Sequence, residues 1–409
     1  MPATTRPPFA PLANPVRDYA WGSTTAIPAL TGTAPTGGPQ AELWLGAHPS
    51  APSLLDDGDG PPRPLDALVS ADPEGHLGAD TVKRFGPELP FLLKVLAAER
   101  ALSIQVHPTR AQAEAGHAAE EARGVRPDAP HRTFRDRGHK PELICALGDF
   151  EALCGFRPAA ATARLLDELA VPLLAPWAAA LRRRPAGEVL PALLRHVLAD
   201  VRPGPAELAS LAGALARVAD GDGPFAAACA AYTRAARDYP GDPGLVAALL
   251  LNHVRLRAGQ ALFLDAGVPH AYLHGLGVEL MANSDNVLRC GLTAKHLDVD
   301  GLLAVTSFRT GEPGVLTAEP VAGGVEEVFP SPAAEFRLSR LRPTGTPMRI
   351  DLPDAPQILL CTAGRAVLGA PDGRRLTLNA GASAYLRPDG GPVHLTGTGA
   401  QLFRATTGG

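Results

Sequence analysis

A helical stretch interrupts a chain that otherwise shows the pattern of short strands and turns. Residues 158–250 are rich in Ala, Leu and Arg, and apolar residues recur at a spacing near 3.6, as at Leu208, Leu211, Leu215 and Val218. The whole chain has 43 glycines and 42 prolines among its 409 residues. So many turn-forming residues exclude an all-helical bundle and favour short strands. The sequence therefore predicts a mainly β protein with an α-helical insertion.

Composition and charge argue against several classes of protein. The formal net charge is −4 at pH 7, so no overall positive field attracts nucleic acid or an anionic membrane. The longest apolar stretch, residues 169–181, is shorter than the ~20 residues of a transmembrane helix and contains two prolines. The N-terminus lacks the apolar core of a signal peptide, and the five cysteines show no CxxC spacing. We therefore expect a cytoplasmic protein with reduced thiols and with no nucleic-acid or membrane partner.

Four side chains with metal-binding atoms lie in or beside predicted strands. Gln105 and His107 are two residues apart in an alternating segment, so both project from one face. Glu142 ends the run HKPE and precedes an apolar segment, while His270 follows a Gly-Val-Pro turn. One amide, one carboxylate and two imidazoles suit Zn²⁺ and are tolerated by Co, Mn, Ni or Fe. Each residue alone is weak evidence for a metal, because most histidines in a chain are not ligands.

Six blocks of sequence strengthen that interpretation by their order along the chain. They are NPVRDYAWGS (14–23), AELWLGAHP (41–49), FLLKVL with LSIQVHP (91–96 and 102–108), HKPE (139–142), FEALCGFR (150–157), and GVPHAYL through ELMANSDNVLRCGLTAK (267–295). Together they resemble the type I mannose-6-phosphate isomerases, a family of zinc-dependent cupin enzymes. The resemblance covers most of the chain, although the helical stretch and the residues beyond about 300 carry little that can be matched.

The resemblance implies a domain plan. A cupin-type, jelly-roll β-barrel is expected as the catalytic domain, formed by residues 1–157 and 251–320. The α-helical insertion domain occupies 158–250 between them, and a second, metal-free cupin-like barrel is expected over 321–409. The strand-and-turn rhythm near the C-terminus lacks a comparable set of His and Glu, which agrees with a barrel without metal. The family also implies a monomer.

The resemblance further implies a cofactor and an activity. Gln105, His107, Glu142 and His270 match the four zinc ligands of the family one for one, which predicts one Zn²⁺ per chain. The expected reaction interconverts D-mannose 6-phosphate and D-fructose 6-phosphate by a proton transfer between C1 and C2 through an enediol intermediate. The implied partner is a small phosphosugar. Arg289 matches the active-site arginine of the family.

The other candidate site residues follow from the needs of that reaction. Lys140, Glu279 and Lys295 are candidates for the base that carries the proton and for the phosphate cations, and the sequence does not decide between them. Glu279 could act either as the base or as a ligand to a sugar hydroxyl. Asp285 could cap a turn or hold Arg289 by a charge-assisted hydrogen bond, and the second role is the one expected. Further side chains are expected around the substrate, either as phosphate cations or as walls of the pocket, namely Trp21, Lys94, Ser103, Tyr272 and Lys295.

Two other functions stay open at this point. A metal-dependent cupin oxygenase usually presents His-x-His, whereas this chain has the neutral Gln105 in the first position. A non-catalytic, sugar-binding regulatory cupin needs no cations around its metal and usually carries a basic helix-turn-helix. Here Lys140, Arg289 and Lys295 accompany the proposed ligands, and the helical stretch is not strongly basic. The isomerase is therefore the leading hypothesis.

Overall fold

The computed structural model describes residues 7–321, 326–350, 354–388 and 390–408. The first six residues, which enter the signal-peptide prediction, lie outside these ranges, as does residue 409 at the end of the predicted second barrel. The described strands form two antiparallel sheets. In chain order they are β1 (Phe9–Ala13), β2 (Val16–Arg17), β3 (Glu42–Leu45), β4 (Leu54–Leu55), β5 (Arg63–Pro64), β6 (Phe91–Ala98), β7 (Ile104–Val106), β8 (Glu142–Ala146), β9 (Phe150–Phe156), β10 (Leu251–Leu256), β11 (Gln260–Leu264), β12 (His270–Ala282), β13 (Leu288–Gly291), β14 (Val315–Thr317), β15 (Glu319–Pro320), β16 (Glu326–Val328), β17 (Arg337–Leu341), β18 (Met348–Ile350), β19 (Gln357–Gly369), β20 (Arg375–Asn379), β21 (Ser383–Leu386) and β22 (Val393–Thr406).

The helices between β9 and β10, from α6 (Ala159–Leu169) to α11 (Gly244–Leu249), confirm the predicted helical insertion. Helix α9 begins at Pro205, whose fixed φ suits the first helical position, and it buries Leu208, Leu211, Leu215 and Val218 as predicted. None of the helices in the described ranges has the length and apolar character needed to cross a membrane. The α-helices are α1 (Ala26–Thr31), α2 (Leu65–Ala71), α3 (Pro73–Leu77), α4 (Ala79–Phe85), α5 (Arg110–Ala122), α6 (Ala159–Leu169), α7 (Ala175–Arg183), α8 (Ala186–Arg195), α9 (Pro205–Ala219), α10 (Ala226–Asp238), α11 (Gly244–Leu249) and α12 (Val299–Val305).

The first sheet, which we call the site sheet, is organised around its longest strand, β12. Its order is β14-β11-β8-β12-β6-β3-β2. Strands β7 and β9 pair with the first residues of β12, and they pair in turn with β13 and β10, respectively. The N-terminal half of β12 pairs with β7 and β9, and its C-terminal half pairs with β6 and β8. The strands follow open pairing paths rather than closed barrels. A single strand that changes partners in this way gives the sheet its cupin-like curvature.

The change of partners in β12 occurs at Gly275. Its φ is +123°, a region that side chains with a Cβ rarely adopt, and a Cβ there would lie 2.7 Å from the carbonyl oxygen of Asp149. The pairing with β9 is irregular just before, between Tyr272 and His274. Because Glu279 follows His270 by nine positions, an odd number, a regular strand would place their side chains on opposite faces. The corner at Gly275 brings both to the same side.

The second sheet, which we call the C-terminal sheet, includes strands from both ends of the chain. Its order is β15-β16-β17-β22-β19-β21-β1-β4-β5, with β18 beside β22 and β20 beside β19. The N-terminal strand β1 pairs with β21, so that Phe9 lies opposite Leu386. Apolar side chains of the two sheets form a common core, to which the site sheet contributes Leu43, Leu93, Val95, Leu143 and Val278 and the C-terminal sheet contributes Phe329, Ile358, Leu360, Tyr385 and Phe403. This core holds the site sheet rigidly from one side.

We predict that Gly275→Ala destabilises the protein by roughly 2 kcal/mol or more, because alanine is strained at this φ and its methyl group collides with backbone. Thermal unfolding followed by circular dichroism measures the effect. Gly148→Ala is the matched control, because a Cβ at Gly148 meets nothing within 4 Å. Equal unfolding temperatures for the two variants would contradict the role assigned to the corner.

Candidate active site

Strand pairing brings three predicted site residues together around β7. Gln105 lies opposite His270 of β12 on one side and opposite Arg289 of β13 on the other. Residues directly opposite each other in neighbouring strands have their side chains on the same face. Strand β7 is shorter than the alternating segment 101–107 from which it was predicted. The predicted alternation nevertheless holds, because Ile104 and Val106 are fully buried on the face opposite to that of Gln105. Neighbouring strands thus deliver an amide, an imidazole and a guanidinium to one place.

His107, Glu142 and His270 form a compact cluster of buried donor atoms. One potential ligand atom from each lies within 4.8 Å of the others. The Nε2 atoms of His107 and His270 are 3.4 Å and 3.3 Å from the two carboxylate oxygens of Glu142. Their Nδ1 atoms donate to backbone carbonyls, to that of Asn286 at 2.7 Å and to that of Val268 at 3.0 Å. Each Nε2 therefore presents its lone pair towards the carboxylate, as in protein metal sites.

The protonation states of the cluster suit a cation. Burial lowers the pKa of His107 to about 4, so its imidazole is neutral near pH 7. Burial alone would raise the pKa of Glu142, but the positive charge of Lys140 holds it well below its usual range. Within the described residues, His107 Nε2 is buried and makes no hydrogen bond. A divalent cation between these groups would satisfy that atom, so the donor set fits a metal.

Gln105 and Ser103 lie beside this cluster. The Nε2 atom of Gln105 donates to the hydroxyl of Ser103 at 3.3 Å. That hydrogen bond directs the amide so that its oxygen is the atom left to act as a ligand. The role of Gln105 as a fourth metal ligand stays a prediction.

A cavity of about 410 Å³ opens above the cluster. His107 is fully buried behind Glu142, and every other side chain predicted for the site contributes to the cavity wall. These are Trp21, Lys94, Ser103, Gln105, Lys140, Glu142, His270, Tyr272, Glu279, Asp285, Arg289 and Lys295. A volume of this size accommodates a small polar molecule such as a sugar phosphate.

A buried ion-pair network forms one wall of the cavity. Lys94 Nζ is 3.1 Å from Glu279 Oε2 and 3.7 Å from Glu42 Oε1, and the indole of Trp44 donates to Glu42 at 2.6 Å. Burial raises the pKa of Glu279, Lys94 opposes the rise, and the charge of Glu142 adds to it. Burial alone would lower the pKa of Lys94, but Glu42 and Glu279 raise it above its ordinary value. Lys94 is thus a permanent cation, and Glu279 is a carboxylate with an increased affinity for a proton.

Two cations, Arg289 and Lys295, contribute to the wall of the cavity. Among the described residues, neither Arg289 nor Lys295 forms an ion pair. Burial lowers the pKa of Arg289, and the charge of Arg135 lowers it further. Burial likewise lowers the pKa of Lys295, with Arg289 and Arg135 adding to the effect. Like charges held close together without a counter-ion favour the binding of an anion.

The expected contact between Asp285 and Arg289 is wrong. Asp285 Oδ1 instead lies 3.5 Å from His48 Nε2, and this contact with His48 lowers the pKa of Asp285. The backbone N–H of Asp285 donates to Asp136 Oδ2 at 2.7 Å, and this hydrogen bond fixes the loop so that the carboxylate reaches His48. Asp285 still lines the cavity, where its side chain is half exposed.

Several wall residues were not singled out from the sequence. Glu42 lies two residues before Trp44, and its importance follows only from the pairing of β3 with β6, which places Trp44 opposite Lys94. Tyr239 comes from the helical insertion, where the sequence carried no recognisable site signal. Other members of this group include Tyr19, Leu96, Ala271, Leu292, Thr293 and Ala294.

Comparison with known proteins identifies the family. A family model for the catalytic domain of type I phosphomannose isomerase matches residues 9–159. Mannose-6-phosphate isomerase of Salmonella typhimurium is 40% identical over 394 residues, which cover 95% of this chain and 97% of that protein. The chain belongs to the type I phosphomannose isomerase family. The mannose-6-phosphate isomerase of Escherichia coli K12 is 39% identical over 390 residues, with the same coverage of both chains.

Solved structures of phosphomannose isomerases share the whole fold. The mannose 6-phosphate isomerase of Salmonella typhimurium, solved with its substrate fructose 6-phosphate and with zinc, has a TM-score of 0.87 and 38% identity to this chain. The similarity covers 98% of this chain and 99% of that one. The mainly β architecture with inserted helices predicted from the sequence is therefore confirmed as the fold of this family.

Glu335 connects the second half of the chain to segments beside the predicted metal ligands. Its Oε1 accepts from His139 Nε2 at 2.7 Å and from Arg110 Nη2 at 2.9 Å. His139 precedes Glu142 by three residues, and Arg110 follows His107 by three. Burial alone would raise the pKa of Glu335, but the hydrogen bond and charge of His139, together with Arg110, lower it to about 2.

We predict that Glu335→Gln lowers the unfolding temperature at pH 7. The difference in unfolding temperature between this variant and the unmodified chain should become smaller in acid. A carboxylate whose pKa is lowered on folding stabilises the fold above its unfolded pKa, ~4.3 for glutamate, and this contribution is lost as pH falls towards 2. Unfolding temperatures measured between pH 7 and pH 2 test this. Glu319→Gln, in the exposed strand β15, is the control. A difference that does not change with pH would rule out the charge of Glu335 as its source.

Proposed function

We propose that this chain is a zinc-dependent mannose-6-phosphate isomerase that interconverts D-mannose 6-phosphate and D-fructose 6-phosphate. One observation carries the proposal. The buried cluster of His107, Glu142 and His270 lies beneath a cavity whose wall presents Arg289 and Lys295, which have no acidic partners among the described residues. A metal site and an anion site thus face the same small space, as a phosphorylated sugar requires. Family membership supports the same activity.

The metal is held, in this proposal, by His107, Glu142, His270 and Gln105. Three neutral donors and one carboxylate leave a bound divalent cation with net positive charge. When bound, zinc supplies Lewis-acid chemistry, polarising a hydroxyl or carbonyl oxygen of the sugar. Asn286 and Val268 keep the imidazoles oriented through their backbone carbonyls, so the ligands are arranged before the metal arrives.

Glu279 and Lys140 are the two candidates that carry the proton between C1 and C2. Glu279 is 3% exposed, and its raised pKa brings it closer to the pH at which a general acid–base group is most effective. Lys94 holds Glu279 in place at 3.1 Å. Lys140 Nζ forms an ion pair with Glu142 at 3.1 Å. This contact favours Glu279 as the group that transfers the proton, and it gives Lys140 the role of stabilising the negative charge of Glu142.

Arg289 and Lys295 are proposed to bind the phosphate or to stabilise the developing enediolate. Both are free of ion pairs within the described part of the chain, so an incoming anion displaces no protein carboxylate. The planar guanidinium of Arg289 can make two parallel hydrogen bonds to such an anion. This set of cations does not favour the oxygenase or the regulatory cupin.

We also propose a cytoplasmic monomer that acts on a small phosphosugar in carbohydrate metabolism and binds neither nucleic acid nor membrane. The proposed activity is tested by a coupled assay with mannose 6-phosphate and with glucose 6-phosphate, each with and without a chelator. Turnover of mannose 6-phosphate alone, abolished by the chelator and restored by Zn²⁺, is the expected result. Full turnover in the chelated, metal-free protein would overturn the zinc-dependent mechanism.

We predict that His107→Ala or Glu142→Ala loses both bound zinc and isomerase activity while the protein remains folded, because each removes a ligand from a small set. Elemental analysis of the purified variants measures the zinc, and circular dichroism checks the fold. His274→Ala, on the same strand as His270 but exposed, is expected to keep one zinc per chain. A fully active variant of His107 without metal would refute the assigned site.

We predict that Arg289→Ala lowers kcat by about 100-fold or more with zinc retained, since a charged donor directed at a developing oxyanion is worth several kcal/mol. Steady-state kinetics and zinc content, measured on the same preparation, test this. Arg183→Ala, an exposed arginine of the insertion, is the control. Near-normal turnover in Arg289→Ala would remove this residue from the catalytic machinery.

A further inference from the structure

The helical insertion reaches the substrate cavity through one loop. Residues 238–244, which end α10 and begin α11, form what we call the insertion corner. Tyr239 of this corner lines the cavity. Its hydroxyl donates to the carbonyl of Ala101 at 2.7 Å, and the N–H of Ala101 donates to Asp238 Oδ2 at 3.2 Å. The insertion corner therefore binds both the carbonyl and the N–H of Ala101, a residue that leads into β7.

Asp242 of the same corner holds the segment that follows β13 and carries Lys295. Its Oδ2 accepts from the backbone N–H of Thr293 at 2.8 Å, and its Oδ1 accepts from the N–H of Gly244 at 2.7 Å. The hydroxyl of Thr293 in turn accepts from the backbone N–H of Lys295 at 3.1 Å. A continuous chain of hydrogen bonds thus runs from the insertion to Lys295 at the cavity wall.

The backbone between Arg289 and Thr293 is in an unfavourable conformation that this contact helps to maintain. Gly291 has a φ of +122°, and a Cβ there would lie 2.3 Å from the Cα of Gly244, so the two backbones touch. Leu292 has a φ of +53°, a left-handed conformation that is costly for leucine. Such conformations persist only where neighbouring structure enforces them, and they concentrate at functional sites. Asp242 binds the residue that follows immediately.

We propose that Asp242 is a positioning residue that sets the affinity for the phosphorylated substrate by holding Thr293 and Lys295 in place. This inference rests on the proposed isomerase function and on the role of Lys295 as a phosphate cation. Asp242 is not among the residues that line the cavity, and it lies in a loop of the helical insertion rather than in either sheet. The insertion thereby acts as a determinant of substrate recognition, in addition to adding a helical core.

Asp242→Asn tests the proposal, because an asparagine oxygen can satisfy only one of the two N–H donors. The KM for mannose 6-phosphate is expected to rise by about three- to tenfold, the effect of one lost hydrogen bond, with kcat within about twofold and zinc content unchanged. The inhibition constant of inorganic phosphate should rise in parallel. A merely structural role would instead lower the active fraction, and thus kcat, and leave KM unchanged.

A second pair of variants keeps the test decisive if Asp242→Asn folds poorly. Thr293→Val removes the hydroxyl that accepts from Lys295 and should raise KM, whereas Thr293→Ser keeps it and should restore the original value. Asp222→Asn, exposed in the same insertion, is the control. Unchanged KM in both Asp242→Asn and Thr293→Val, with an active unmodified enzyme, would overturn this inference alone. An unmodified enzyme without turnover would instead overturn the proposed function.

Discussion

The candidate site depends on one buried carboxylate. Glu142 is 4% exposed, and in that environment its negative charge is stable only beside positive charge. Lys140 supplies one cation at 3.1 Å, and the Nε2 atoms of His107 and His270 present lone pairs that a divalent cation would share with the carboxylate. Because these groups come from β8, from β12 and from the end of β7, the same charge also couples three separate segments of the site sheet.

The rest of the cavity is built around that charge in three parts. The metal-binding cluster forms its floor, and the network of Lys94, Glu279 and Glu42 forms a wall that carries a proton-binding group. Arg289 and Lys295 add positive charge that no carboxylate of the described residues neutralises. The corner in β12 joins floor to wall, and the insertion corner joins the β7 side to the segment that carries the cations. Rigid strands on a shared core thus position groups that must act on one small substrate.

The sequence predicted the ligand chemistry better than it predicted contacts. Alternation in one short strand placed Gln105 and His107 on the same face, but among twelve histidines only the order of the six blocks singled out His107 and His270. Glu42 and Tyr239 escaped detection because their roles arise from register and packing between distant segments. The partner of Asp285 was predicted wrongly for a related reason. A hydrogen bond from its backbone to Asp136 decides where that loop directs its carboxylate.

By itself, the sequence determined the strand segments and the inserted helices, because periodicity is a local property. The order of the six blocks, rather than any local pattern, singled out His107, Glu142 and His270 as donors for a metal. Only the tertiary structure decided that the N-terminal strand β1 completes the C-terminal sheet, that β12 turns at Gly275 so that His270 and Glu279 share a cavity, and that Asp242 reaches Thr293. Each of these depends on which distant segments become neighbours. That choice is made by the collective packing of the two sheets, and no local pattern encodes it.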